Sequence, residues 1–390
     1  MKPTKFGIGQ SVRRVEDQKF ITGAGRYSAD VMPDGTLVGY VLRSPHAKAK
    51  IAHIEADASR DMPGVALVLL ASDIAALGTL TCLAALPNPD ETMMAQPPYP
   101  VLAKDAVRHV GDAVAFIVAE SETAARDAAE AIEIDYEVET PVVDTRAALE
   151  PDAPLVWPDL NTNLAVETGM GSAADVDPIF AKAAHRVAID IVNNRLVTNY
   201  MEPRAALGEY MGGRYTLTTS SQGVHGLQSS ICDLMKIDPK MLRVRTYDVG
   251  GGFGTKTFLY REYPLVLEAA KRTGRPVRWV ADRTEHFLAD AQGRDNLAHA
   301  EMALDSDGRF LAMRVDTIAN LGAYLSQYGP YIPFLGISMA TGPYNIPKLH
   351  ARMRGVYTNT QPVDAYRGAG RPEAAYLLER LVDACAIQLG

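Results

Sequence analysis

The stretch LRVRTYDVGGGFGTK, Leu242 to Lys256, sets the frame for the rest of the chain. Leu242 to Val249 reads as a strand. Gly250, Gly251, Gly252 and Gly254 follow it, with Phe253 among them. Such a run lets the backbone take positive φ and lets a bulky ligand approach the main chain. Its exposed N–H groups can hold an anion. A tight structural turn accounts for the same residues. A Walker A loop does not, because no Gly-Lys-Ser/Thr ending follows at the required spacing.

Upstream, short strands alternate with helix. Leu37 to Leu42, Val65 to Leu70 and Asp112 to Ala119 have the β-branched and aliphatic content of strands. Ser121 to Ile132 reads as a helix, with Ser121 as N-cap and Glu122 in the first turn. Ile132 to Val138 returns to strand, and this α/β unit is expected to end near residue 145. Thr145 to Asn163 carries Pro151, Pro154 and Pro158 and reads as an inter-domain linker. Beyond it, strands are expected at His185 to Val192, Tyr215 to Ser220, Ala298 to Leu304 and Phe310 to Ile318. Asp305 to Gly308 supplies a hairpin turn between the last two. Helices are expected at His225 to Met235, Tyr260 to Thr273 and Pro372 to Gln388, the last closed by Gly390. The fold class is α+β, a mixed α/β chain.

At roughly 100–200 residues per domain, 390 residues make two or three domains. A hydrophobic content of 47% with 22% charged residues is globular, not disordered. The net charge of −8, without a dense basic stretch, argues against nucleic-acid binding. The longest apolar run, Val65 to Ala71, is far short of the roughly 18–20 residues that cross a bilayer. The opening MKPTKFGIGQSVRR lacks the apolar core of a secretory signal. Cys82, Cys232 and Cys385 lie too far apart for a disulfide framework, a zinc knuckle or an iron–sulfur cluster built by this chain alone. A reducing cytoplasm is the expected setting.

Two more segments carry chemistry. Ser220 to His225, SSQGVH, ends a strand. Gln222 there can donate to an oxygen of a bound group or simply cap a loop. His225 reads as a helix-start residue, with ligand or base as the alternative. Ala365 to Glu373, AYRGAGRPE, is a glycine-rich turn bearing Arg367 and Arg371, with Pro372 and Glu373 opening a helix. Arginine forks favour anions, and a solvated loop is the plain alternative.

In order along the chain, these motifs resemble the molybdenum-binding large subunit of the xanthine dehydrogenase/aldehyde oxidase family, the molybdenum hydroxylases. The residues carrying the resemblance are Gly9 to Asp17 (GQSVRRVED), Gly23 to Asp30 (GAGRYSAD), Arg43 to Ala47 (RSPHA), Val110 to Ala115 (VGDAVA) and Met201 to Arg204 (MEPR), with GGGFGTK and AYRGAGR. The resemblance implies a hammerhead-like α/β domain over 1–145, a linker over 146–163 and the first of two molybdopterin-binding domains over 164–390. By the same resemblance, Gln222 matches the glutamine that hydrogen-bonds the molybdenum oxo ligand. Gly251, Gly252 and Phe253 match the loop packed against the metal centre and pterin. Arg367 matches the arginine bordering the molybdenum pocket. Glu202 and Pro203 match a motif to which the resemblance assigns no role beyond structure.

The implied cofactor is molybdopterin or its cytosine dinucleotide, which holds molybdenum through its dithiolene with no direct protein ligand. The implied reaction is hydroxylation of an aldehyde or N-heterocycle with water as the oxygen source. Gln222 and Arg367 would be the catalytic residues of this chain. Implied partners are an iron–sulfur small subunit, an FAD medium subunit and a second molybdopterin domain, on another chain or in a missing C-terminal half. A non-catalytic scaffold or assembly subunit of such a complex is the alternative. Two positions depart from better-known relatives. Purine-oxidising members place a glutamate where Thr257 stands, which puts a purine substrate in doubt. Aerobic carbon monoxide dehydrogenases place their copper-binding cysteine where Gly368 stands, which disfavours carbon monoxide.

Overall fold

Every residue of Ala113–Ala119, AVAFIVA, is buried, as befits a strand covered on both faces. It lies inside a seven-stranded sheet of the computed structural model, which describes residues 11–390; Gly9 and Gln10 of the N-terminal motif lie outside them. The strand order is Leu242–Arg245, Arg214–Thr219, Ala205–Met211, Val277–Val280, Leu37–Arg43, Ala113–Ala119, Val65–Leu69. Leu37–Arg43 runs parallel to Val277–Val280 with Leu37 opposite Val277. Strands some 240 residues apart in the sequence therefore share one sheet. A second sheet of five strands is ordered Leu164–Gly171, Leu349–Tyr357, Phe310–Gly322, Asn296–Leu304, His185–Asn193. A third joins Ala106–Val107, Ala49–Glu55 and Glu133–Val138.

Local chemistry explains the boundaries. Ser121 caps the helix Glu122–Glu130 by accepting from the Ala124 N–H at 3.2 Å. The helix Glu262–Thr273 stops at Gly274, which takes φ +65°. That helix packs so closely on Ala205–Met211 that a Cβ on Gly208 would stand 2.4 Å from the Val266 carbonyl oxygen. The Asp305–Gly308 turn is tied by Asp305 Oδ1, which accepts from the N–H groups of Asp307 and Arg309 at 2.9 Å.

Two expectations differ from the structure in detail. The strand from Leu242 ends at Arg245 rather than Val249. Asp248 turns away to pair with Lys19 and to accept from the Arg26 N–H at 2.9 Å, which draws the segment toward the N-terminal residues. The proline-bearing stretch 146–163 is a packed strap. Trp157 is buried and donates to the Ala323 carbonyl at 2.8 Å. Asn163 accepts from the Val156 N–H at 2.9 Å and donates to the Ala148 carbonyl at 3.1 Å.

A buried ion network fastens the early strands to the later helices. Arg43 reaches Glu262 and Glu285, each at 2.7 Å. The other oxygen of Glu262 accepts from Arg204 at 2.8 Å, and Arg204 reaches Asp290 at 2.6 Å. Burial raises the Glu262 carboxyl, but Arg204 and Arg43 outweigh it and hold the group at about 2. Asp112, on the early side, pairs with Arg261 and accepts from the Tyr324 hydroxyl at 2.7 Å. Removing one partner of such an enclosed pair costs about 3–5 kcal/mol.

Candidate functional site

The strands Arg214–Thr219 and Leu242–Arg245 are parallel neighbours, with Tyr215 opposite Leu242. Their carboxyl ends emerge together, so the segment after one lies beside the segment after the other. In α/β sheets this is where ligands bind. One segment carries Gln222 and opens the helix Val224–Met235 through Gly223. The other is the glycine loop. The Gln222 N–H donates to the Lys256 carbonyl at 3.0 Å, and the Gly254 N–H donates to Gln222 Oε1 at 2.8 Å.

Positive φ falls at Gly251 (+95°), Phe253 (+48°) and Gly254 (+116°), and not at Gly252. Gly252 is constrained by space instead. A Cβ there would stand 2.5 Å from Gln222 Oε1 and 3.1 Å from the Lys256 Cβ.

The arginine loop closes on the same place. The Arg367 N–H donates to the Phe253 carbonyl at 2.8 Å. A Cβ on Gly254 would stand 2.4 Å from the Ala365 carbonyl oxygen. The Arg367 guanidinium lies 5.8 Å from the centre of the Phe253 ring. Gln222, Gly251, Gly252, Phe253 and Arg367 thus form one cluster, with Gln222, Phe253 and Arg367 exposed. His225 is exposed on the first helical turn and makes no hydrogen bond to this cluster among the described residues.

Further residues support the cluster through contacts made only in three dimensions. Arg294 donates to the Arg367 carbonyl at 2.9 Å and to Glu373 at 2.7 Å. Asp364, just before the arginine loop, is raised by burial to about 6 while accepting from the Tyr328 N–H at 2.9 Å. Lys256, 1% exposed, pairs with Glu202 at 2.8 Å beneath the glycine loop. Both members of that pair stand in quoted motifs, but 54 residues apart, and spacing alone does not join them.

Gly368 takes φ +99°, and a Cβ there would stand 2.5 Å from the ring carbons of Pro372. A cysteine there would be strained by both backbone and space. Among the described residues, no cluster of three His, Cys, Asp or Glu side chains could hold a metal ion. No described helix is long and apolar enough to cross a membrane.

The residues fit a molybdopterin. The Gly254 N–H fixes the orientation of the Gln222 amide, and its Nε2 donors make no hydrogen bond among the described residues. At Gly252 the missing Cβ leaves room for that amide, whose Oε1 occupies the space a side chain would take.

Comparison with known proteins agrees. Residues 156–390 match the molybdopterin cofactor-binding domain family. Residues 22–140 match the a/b hammerhead domain of aldehyde oxidase and xanthine dehydrogenase. The chain belongs to this family of molybdopterin-binding large subunits. It is 34% identical to the carbon monoxide dehydrogenase large chain of Hydrogenophaga pseudoflava, over 96% of this chain and 48% of that protein. It superposes on the crystal structure of quinoline 2-oxidoreductase from Pseudomonas putida 86 with a TM-score of 0.92 and 34% identity, covering 98% of this chain and 48% of that one. It is 27% identical to the nicotinate dehydrogenase large molybdopterin subunit of Eubacterium barkeri, over 98% of this chain and 86% of that subunit. The chain spans about half the length of the curated relatives it matches most strongly.

Proposed function

We propose that this chain is the cofactor-cradling half of a molybdenum hydroxylase acting on an aldehyde or an N-heterocycle. The observation that carries the reading is the meeting of Gln222, the glycine loop and Arg367 at one exposed place. When bound, the molybdenum cofactor supplies the two-electron redox chemistry, with water as the oxygen source. The protein's part is to bind, orient and polarise. Gln222 presents Nε2 donors in a fixed direction, because Gly254 holds the other end of its amide. Gly251, by its positive φ, and Gly252, by making room for the Gln222 amide, set the loop shape that would receive the cofactor. Arg367 is an anchored donor for negative charge or a substrate oxygen, since its backbone is pinned to Phe253 and Arg294.

Substrate class is argued from two positions. Gly368 supplies no thiol for copper, which argues against carbon monoxide. Thr257 supplies no carboxylate for a purine. Two of the matched proteins are named for quinoline and nicotinate, both N-heterocycles. We further propose that a second molybdopterin-domain half, in continuation or as a separate chain, covers the exposed face bearing Phe253, 44% exposed, and Met201, 88% exposed. Electrons would leave through iron–sulfur and FAD subunits, and the pterin would be molybdopterin or its cytosine dinucleotide. A cytoplasmic setting fits three buried, unpaired cysteines.

The test is turnover of a panel of aldehydes, N-heterocycles, purines and carbon monoxide by the natural complex with an artificial electron acceptor. Molybdenum-dependent turnover of an aldehyde or a non-purine heterocycle is expected. Molybdenum-replete complex that turns over only carbon monoxide or purines contradicts the reading.

A further inference from the structure

Three donors converge on one oxygen of Glu202. Its Oε2 accepts from Ser220 Oγ, the Gly250 N–H and Lys256 Nζ, each at 2.8 Å. Its Oε1 accepts from the Ser28 N–H at 3.4 Å. Lys256 also donates to the Glu202 carbonyl at 2.8 Å, and the Glu202 N–H donates to the Gly250 carbonyl at 3.2 Å. The lysine ammonium lies 4.5 Å from the centre of the Tyr200 ring.

An enclosed ion pair adds little net stability over a well-packed apolar pair of the same bulk. Its distinct contribution here is geometric. Gly250 opens the glycine loop and Lys256 closes it, so one carboxylate fixes both ends. Gly250 sits so close that a Cβ on it would stand 2.4 Å from the Glu202 Cβ. The Lys256 carbonyl accepts from the Gln222 N–H, and the Lys256 Cβ floors Gly252.

We propose that Glu202 is a positioning residue for the molybdenum cofactor, holding the loop ends so that Gln222 and the backbone at Gly251 and Gly252 keep the spacing the cofactor requires. This rests on the reading that the loop binds that cofactor.

The experiment uses the natural complex, purified through a tag on this chain from a host that makes the cofactor. Two double variants are compared, Glu202→Gln with Lys256→Met and Glu202→Leu with Lys256→Met. Neither leaves a buried charge unpaired. They differ in whether an acceptor remains for the Gly250 N–H and Ser220. Molybdenum and pterin per chain are measured, with the melting temperature of cofactor-free protein and the paramagnetic resonance signal of reduced molybdenum. The glutamine pair is expected to load as wild type does. The leucine pair is expected to load about tenfold less per folded chain, the scale of one lost buried hydrogen bond, with a lowered melting temperature and an altered signal in the fraction that loads. Equal loading of the two pairs with an unchanged signal overturns the proposal.

If the leucine pair does not fold, Gly250→Ala decides. Its backbone is ordinary, and its Cβ forces the loop off Glu202. Lost molybdenum in a folded chain supports the role, and full loading overturns it. Gly252→Val separates the two levels of inference. Full loading of that variant overturns the loop reading itself, and Glu202 falls with it. Lost loading there beside full loading of the leucine pair overturns Glu202 alone.

Discussion

Gly252 and Gln222 share a space that a single methyl group would overfill: a Cβ on the glycine would stand 2.5 Å from the glutamine Oε1. The Gln222 side chain is exposed and can swing aside, but its amide then leaves the place set by the Gly254 N–H. Because the Cβ also meets the buried Lys256 Cβ at 3.1 Å, Gly252→Val is expected to cost the cofactor-free chain about 1–3 kcal/mol, the range of an overpacked site. The same variant is expected to abolish molybdenum uptake. Melting the cofactor-free protein beside metal analysis of the complex checks both, and full molybdenum content contradicts the steric reading.

Gln222→Ala removes the acceptor for the Gly254 N–H, a loss of about 1 kcal/mol at an exposed position. Turnover per molybdenum is expected to fall by about a hundredfold or more, the scale on which removing a preorganised donor acts. Rate, metal content and melting temperature on one sample separate these effects. An unchanged rate at full occupancy shows that Gln222 only caps the loop.

Gly368→Cys is not expected to confer carbon monoxide oxidation. The residue must hold φ +99° with its Cβ 2.5 Å from Pro372, a strain of about 1–3 kcal/mol. A lowered melting temperature and absent carbon monoxide turnover, with copper supplied, are the expected results. A variant as stable as wild type contradicts the steric argument.

His109 makes stability depend on pH. Its ring is buried, and desolvation lowers its pKa from the ordinary 6.5 to about 4. Asp112 lies 3.8 Å away and pulls the other way, but its charge is already paired with Arg261. A base lowered in the folded state leaves full stability above about 6.5 and loses it as pH falls toward 4. The loss is about 3 kcal/mol at its full extent. Asp364, raised to about 6, works in the opposite direction over nearly the same range, so the readout is the difference in denaturant-measured stability between His109→Gln and wild type, expected to shift toward the variant by about 3 kcal/mol as pH falls from 6.5 to 4. The further acid loss from Glu262, between 4.5 and about 2, is expected to remain. A stability difference between the two proteins that does not change over that range contradicts the assignment.

Much of this molecule is legible in its sequence. Ala113–Ala119 and Glu122–Glu130 announce themselves by unbroken aliphatic content and by a serine cap. The site motifs could be quoted from the chain because each is local. The missed elements have tertiary causes. Tyr331–Ser338, YIPFLGIS, has strand-like composition with a proline and a glycine, yet it forms a helix packed on the second sheet. Ala205–Met211, AALGEYM, reads as helix by propensity and is a strand, where Gly208 lets a helix backbone approach. The sharing of one sheet by Leu37–Arg43 and Val277–Val280 rests on a pairing some 240 residues apart, which no periodicity reports. For the same reason Glu202 and Arg294 gained their partners only in three dimensions.

The most direct measurement is molybdenum and pterin content of the intact complex isolated from its own host. About one of each per copy of this chain is the expected result, lost together in Gly252→Val. An intact, folded complex that contains neither contradicts the cofactor-cradling role and leaves the chain a scaffold.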